Sequence, residues 1–259
     1  MTRPLLLVLT LLVGLLVYGR IDRERSSSGP ATVPRAGARP SGPLPTRSSS
    51  GVLAVVPSGG TPAMDLLARL EGRRRLQRAG TTTYFDSLFV ETDSVVRRWP
   101  DQQGLVFVVA FPASDSVEHD PPVRGVVERA LATWEAAGLG VRFARSMDTA
   151  GANLLVYSSP TLGGDRAGQT DIQWTRDGRI HSAAIIIARR DSGGKVIPGP
   201  IQEAVAVHEI GHALGLSHSP SPGDAMFWAT RTATLSRRDL ATFTLLYQLP
   251  LGTIREIAQ

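Results

Sequence analysis

The stretch HEIGHALGLSH, residues 208–218, determines how the rest of the chain is interpreted. It contains three of the five histidines in a sequence of 259 residues. His208 and His212 are four residues apart, so on a helix their side chains project from one face, one turn apart. Both imidazoles can then bind one metal ion without any movement of the backbone. The spacing therefore predicts two metal ligands on a single helix.

Glu209 follows the first of these histidines and lies about 100° further around the helix. That position keeps its carboxylate out of the ligand shell but within reach of a water molecule on the metal. Hydrolysis by zinc requires this division of labour, in which neutral imidazoles hold the ion and a carboxylate takes a proton from its water. We therefore assign Glu209 as the catalytic general base.

A third ligand is predicted from the end of the same stretch. A straight helix would carry His218 past the metal, but Gly215 can adopt the left-handed conformation that ends a helix. The chain then turns back and brings His218 to the ion from a separate direction. The fourth position stays open for water and substrate, which is typical of catalytic zinc. Histidines that merely fill a core are the alternative, but a core does not require the adjacent glutamate, the glycine hinge and the third histidine.

The motif H-E-x-x-H-x-x-G-x-x-H followed by a methionine-containing turn resembles the signature of the metzincin zinc metalloproteases. Met226, in DAMF (224–227), stands where this resemblance implies a hydrophobic floor under the metal, with ordinary core packing as the alternative. Ser219 after the third histidine, together with LSRRDLATFTLLY (235–247), resembles the matrixins, the matrix metalloprotease family, and more particularly their bacterial relatives.

The resemblance covers roughly residues 95–250 and implies an α+β catalytic domain. Its expected architecture is a twisted mixed β-sheet of about five strands with three helices, in which the active-site helix is followed by the Met-turn. A protein substrate is expected to lie extended along an edge strand. We take residues 180–188 as the candidate edge strand, with a place in the sheet interior as the equal alternative.

Apolar periodicity predicts the individual elements of this domain. The predicted strands are 104–111, 141–146, 152–159 and the two arms of a hairpin around Asp177-Gly178. The predicted helices are 121–138, 201–216 and 235–248. Ser236 is expected to cap the last of these helices, with Asp239 three residues further on in a pattern close to a capping box.

The chain is predicted to have four parts, of which the catalytic domain occupies 101–259. Residues 1–20 hold an apolar run that is short for a membrane span and indicates an export signal, either cleaved or retained as a short anchor. Residues 21–62 are rich in Ser, Gly, Pro and Arg and predict a disordered linker. Residues 63–100 predict a helix over 63–79, which either docks on the domain or lies on a membrane surface, and then an extended lead-in.

Composition excludes several classes of function and leaves others unsupported. The chain has no cysteine, which excludes disulfides, thiolate catalysis and, in a matrixin-like protein, latency through a propeptide thiol. The net charge is +5, but no aromatic residues are interleaved with the arginines, so nucleic-acid binding is not expected. His119 and His181 lack the spacing for a second zinc ion. A structural calcium ion is not supported by any loop consensus, and turn residues are the simpler interpretation of three aspartates: Asp165, Asp171 and Asp177.

Together these observations predict an exported zinc endopeptidase that holds one catalytic zinc ion. It would be secreted or anchored to a membrane through its N-terminus, and it would act as a monomer on extracytoplasmic proteins or peptides. One alternative is a non-catalytic exported binding module that contains zinc, against which the intact Glu209 argues. Another is a basic surface protein that tethers to anionic lipid through residues 20–78, with a structural metal site.

Overall fold

The computed structural model describes residues 62–100, 105–112 and 121–253. The predicted export signal and the predicted linker lie outside the described residues, except for Pro62, at which the first helix begins. Within the described residues, no helix is both long enough and apolar enough to cross a lipid bilayer.

A five-stranded sheet forms the centre of the fold, with the strand order β3-β2-β4-β6-β5. Four of the strands run parallel to one another and β5 runs antiparallel to β6, so the sheet is mixed. The predicted α+β fold with a mixed sheet of about five strands is confirmed. The strands are β2 (Val106–Ala110), β3 (Arg142–Ser146), β4 (Leu154–Ser159), β5 (Gly168–Trp174) and β6 (Ile180–Ala188). A separate short pair is formed by β1 (Val95–Val96) and β7 (Gly252–Thr253).

Of the two alternatives left open for residues 180–188, the sheet interior is confirmed and the edge strand is wrong. Strand β6 lies between β4 and β5, where Ala183 is paired with Leu154 on one side and with Ile172 on the other. Its isoleucine run therefore reflects burial inside the sheet, as expected for an internal strand. The edge position next to it belongs to β5, which pairs with β6 alone among the described strands. Because it is an edge, β5 is half-buried or exposed along its whole length.

Five α-helices occur among the described residues. They are α1 (Pro62–Ala79), α2 (Phe85–Thr92), α3 (Pro121–Ala136), α4 (Gly199–Ala213) and α5 (Arg237–Gln248). The last three are the helices predicted for the catalytic domain. The apolar face predicted for α3 is buried, with Leu131 and Trp134 fully enclosed. A capping box between Ser236 and Asp239 opens α5, as its sequence predicts.

The lead-in segment after residue 79 was predicted to be extended, and this prediction is wrong for part of it. Residues 85–92 form helix α2, preceded by a short 3-10 turn at Gly80–Thr82. Phe85, Leu88 and Thr92 are buried, and their spacing places them on one side of this helix. Burial of that side against the rest of the domain outweighs the strand preference of the surrounding residues. Tyr84, Val96 and Trp99 join the same hydrophobic core, so the lead-in segment and the predicted catalytic domain share one core.

Helix α1 docks on this core through one side only. Leu76 packs against it, and the Arg75 side chain donates a hydrogen bond to Gln248 at the end of α5. Leu66, Leu67 and Leu70 are exposed on α1. The docking alternative for this helix therefore has direct support, and a membrane-surface role stays a prediction.

Candidate metal centre

The three histidines of the 208–218 stretch meet at one point. His208 and His212 lie one turn apart on α4, and His218 approaches them from the chain beyond the helix. One ligand nitrogen from each ring lies within 4.8 Å of the other two. The Nε2 atoms of His208 and His212 are 3.0 Å apart. Tetrahedral zinc with bonds of about 2.0–2.1 Å requires a separation of about 3.3 Å between ligand nitrogens, so the site fits this ion with a small adjustment.

A glycine turn redirects the chain between the second and third histidines. Helix α4 ends at Ala213, and Gly215 adopts a positive φ of 101°. The Gly215 N–H donates to the His212 carbonyl at 2.9 Å, and the Leu216 N–H donates to the Gly211 carbonyl at 3.0 Å. This pair of bonds is a Schellman motif, in which glycine is the favoured residue because its φ is positive. The turn places the His218 ring beside the rings of the other two histidines.

Hydrogen bonds to the backbone set the proton positions of the two helical histidines. His208 Nδ1 lies 2.8 Å from the carbonyl oxygen of Ala225, and His212 Nδ1 lies 2.8 Å from that of Leu216. A carbonyl oxygen only accepts, so each Nδ1 carries the proton and donates it. Each Nε2 then keeps a free lone pair, directed at the common point. The donor chemistry is therefore that of two neutral zinc ligands.

Burial keeps both of these imidazoles neutral. It lowers the pKa of His208 to about 4 and lowers the pKa of His212 well below its usual value. A metal ion binds only the unprotonated nitrogen, so neutral rings favour metal binding at physiological pH.

The third histidine is held by a carboxylate that the sequence did not reveal. His218 Nδ1 lies 3.2 Å from Oε1 of Glu91, and the His218 backbone N–H donates to Oε2 at 3.3 Å. Glu91 lies on α2, 127 residues earlier in the chain. No local pattern relates residues so far apart, and only the packing of α2 brings them together.

The glutamate beside the first histidine is almost completely buried. Glu209 is 7% exposed, and this burial raises the pKa of its carboxyl to about 7. The Thr170 hydroxyl donates to Glu209 Oε2 at 2.6 Å and also lies 3.0 Å from the Glu209 carbonyl oxygen. Thr170 is on the edge strand β5, so strand pairing, not sequence proximity, brings it to the site. The backbone of β5 at Gly168 also lies close to the Glu209 carboxylate, because a Cβ built on Gly168 would lie 2.5 Å from Glu209 Oε1.

A buried methionine lies beneath α4. Met226 is fully buried, and a Cβ at Gly211 would overlap its Sδ atom and lie 3.1 Å from Cζ2 of Trp134. Asp239, also fully buried, accepts hydrogen bonds from the backbone N–H groups of Ala225 at 2.9 Å and Met226 at 3.4 Å. Asp239, the capping-box partner of Ser236, therefore also supports the turn that carries the methionine.

Three converging histidines in H-E-x-x-H-x-x-G-x-x-H, followed by a turn with a buried methionine, are similar to the zinc site of the metzincin metallopeptidases. Within that class, residues 157–248 match the family model described as Matrixin. This part of the chain is therefore similar to the matrixins among the metzincins. No curated protein matches the chain closely enough to add a named relative.

Proposed function

We propose that this protein is an exported zinc endopeptidase that hydrolyses peptide bonds in extracytoplasmic proteins, with Glu209 as the general base. One observation carries the proposal: the Glu209 carboxylate is buried beside the three-histidine cluster and is covered by an edge strand on which a peptide could lie. A structural metal site requires the histidines alone. The buried carboxyl with its raised pKa favours catalysis, because burial of such a group is otherwise unfavourable.

His208, His212 and His218 would hold the zinc ion through their Nε2 atoms. When bound, zinc supplies Lewis acidity for the peptide carbonyl and lowers the pKa of a water molecule. Glu209 takes a proton from the attacking water and later gives it to the departing amine nitrogen. A carboxyl whose pKa lies at about 7 can both accept and release a proton near neutral pH, which suits these two tasks.

We propose that strand β5, and not the internal strand β6, binds the substrate. Its outer edge is not paired with any other described strand, so its backbone groups are available to an extended peptide. Its inner side contacts the proposed base through Thr170, so a peptide on this edge would lie next to Glu209. Gly168 keeps the strand close to α4, because a side chain there would collide with Val205 and Glu209.

The proposal that the protein is exported rests on the N-terminal sequence alone. The apolar run after Arg3 indicates a signal or short anchor, and the polar linker that follows would separate it from the folded domain. Either form places the domain outside the cytoplasm, with unfolded or extended protein segments as substrates. We propose that it acts as a monomer with one catalytic zinc ion.

The test uses the purified full-length chain with an unstructured protein as substrate. Hydrolysis should stop when a chelator removes the metal and return when zinc is added back. Glu209→Gln should keep one zinc per chain and lose about two to four orders of magnitude in kcat/KM, the typical contribution of a general base. His218→Ala, as a matched variant, should bind zinc more weakly and lose hydrolysis. A Glu209→Gln variant with full activity would refute the general-base role. A wild-type chain that holds zinc and hydrolyses nothing would instead support the non-catalytic binding module.

A further inference from the structure

The carboxylate of Glu91 contacts the third histidine with both of its oxygen atoms. Oε1 lies 3.2 Å from the ring Nδ1 of His218, and Oε2 accepts the backbone N–H of the same residue at 3.3 Å. One bond restrains the rotation of the imidazole, and the other restrains the backbone from which the ring projects. Two bonds from one carboxylate therefore define the orientation of His218.

His218 depends on such an external support more than the other two histidines do. Those rings project from α4 and donate to carbonyl oxygens of the turns next to the helix, whereas His218 follows the helix in a non-helical segment. Its side chain is 43% exposed, so packing alone restrains it less. A carboxylate at Nδ1 also makes Nε2 a better electron donor than a carbonyl would, which strengthens a bond to a metal ion.

Helix α2 is seated firmly enough to provide this support. Its buried side holds Phe85 and Leu88 in the core. Just before it, the Tyr84 hydroxyl donates to Asp239 Oδ1 at 3.2 Å, and the Tyr84 N–H donates to the Thr242 hydroxyl at 3.2 Å. The helix is thus tied to α5, the element that also supports the methionine turn.

The chain after α2 contacts the end of α4 and the glycine turn at Gly215. The Trp99 indole N–H donates to the carbonyl oxygen of Ala213, the last residue of α4, at 2.8 Å. The Arg97 carbonyl oxygen lies 2.8 Å from the position of a Cβ on Gly215. The lead-in segment therefore contacts the end of α4, the glycine turn and the third histidine in succession.

We propose that Glu91 is a positioning residue of the zinc site, and that helix α2 is consequently part of the metal centre. The carboxylate acts through His218 by fixing its ring for metal binding. This inference rests on the zinc site of the proposed function, and its test measures metal affinity, not hydrolysis. It extends the functional unit beyond the residues that match the matrixin model, since Glu91 precedes them.

A carboxylate near a zinc site can also block it as a fourth ligand. The geometry opposes that role for Glu91. Its oxygen contacts Nδ1 of His218, and the cluster of converging ligand atoms comprises the three histidines without Glu91. The two roles predict opposite results, because removal of a blocking ligand raises activity whereas removal of a support weakens metal binding.

The experiment compares zinc affinities of full-length variants by competition with a chromogenic chelator. Glu91→Gln and Glu91→Ala should bind zinc about 10- to 100-fold more weakly than the wild type, the usual effect of losing such a partner of a ligating histidine. Asp86→Asn is the matched control, because it removes an exposed carboxylate from the same helix and should leave the affinity unchanged. Circular dichroism of each metal-free variant shows whether the fold is intact.

A double-mutant cycle tests whether Glu91 acts through His218. In a His218→Ala background, Glu91→Ala should cause no further loss of zinc affinity, whereas independent effects would add. The visible spectrum of the cobalt-substituted protein should also change in Glu91→Gln, since it reports on ligand geometry. Zinc affinity in Glu91→Gln equal to that of the wild type, or hydrolysis above that of the wild type, would overturn the proposal. A wild-type chain that binds no zinc would instead remove the proposed function itself.

Discussion

Gly211 and Met226 lie so close together that no methyl group fits between them. A Cβ built on Gly211 would overlap Sδ of Met226 and would also press on Trp134, at 3.1 Å from its Cζ2 atom. Both neighbours are fully buried, so neither can move aside without disturbing the core. The contact between helix α4 and the methionine beneath it therefore requires glycine at position 211.

Gly211→Ala should consequently destabilise the protein, although alanine is the better helix former. Overpacking at a site of this kind costs about 1–3 kcal/mol in the free energy of unfolding, measured by urea denaturation. Gly125→Ala is the matched control on α3, because the nearest atom to its added Cβ is a flexible Arg129 Nη1 at 3.5 Å. That variant should gain up to about 1 kcal/mol from helix propensity. Equal stability of the two variants would contradict this prediction and would show that the Met226 side chain can move aside at little cost in free energy.

Gly215→Ala should combine a conformational cost with a collision. Residue 215 has a φ of 101°, and an added Cβ would lie 2.8 Å from the Arg97 carbonyl oxygen. We expect a loss of about 2–4 kcal/mol in the free energy of unfolding, since the strained φ alone costs about 1–3 kcal/mol. Zinc affinity should fall with it, because the turn that positions His218 is displaced.

The control for Gly215 is a glycine that has the strain without the collision. Gly138→Ala meets that condition, because its φ is 73° and no atom lies within 4 Å of the added Cβ. It should lose only the conformational part of the stability and keep the zinc affinity of the wild type. If Gly215→Ala also kept that affinity, the turn would not determine the position of His218.

Thr170→Val should lower the rate of hydrolysis without releasing the metal. The substitution keeps the shape of the side chain and removes the hydroxyl that donates to Glu209 Oε2. A hydrogen bond to a charged group contributes about 1.5–3 kcal/mol, which corresponds to about a 10- to 100-fold loss in kcat/KM if the bond orients the base. Thr170→Ser keeps the hydroxyl and should retain most of the activity. Metal analysis should give the same zinc content for all three proteins, and a Thr170→Val enzyme as active as the wild type would exclude this role.

The sequence alone was enough to predict that His208, His212 and His218 converge, because the relevant relations are local. His208 and His212 are related by one helical turn, and the special conformation at Gly215 follows from the residue type at the end of the helix. The capping box at Ser236 and Asp239 is equally local, and the structure confirms it. The mixed five-stranded sheet was predictable for a different reason, since it came with the resemblance to the matrixins.

Relations between distant segments were decided by the tertiary structure alone. The isoleucines of β6 indicated burial, but burial is compatible with an edge next to a covering helix and with the sheet interior. Pairing with β4 on one side and β5 on the other made the strand internal. Helix α2 was not predicted from the sequence. The composition of these residues favours a strand in isolation, and the helix is stabilised only when its buried side packs against the folded domain. The contacts of Glu91 and Thr170 with the site have the same origin: a hydrogen bond across 127 or 39 residues leaves no periodic pattern in the sequence, and it forms only when packing brings the two segments together.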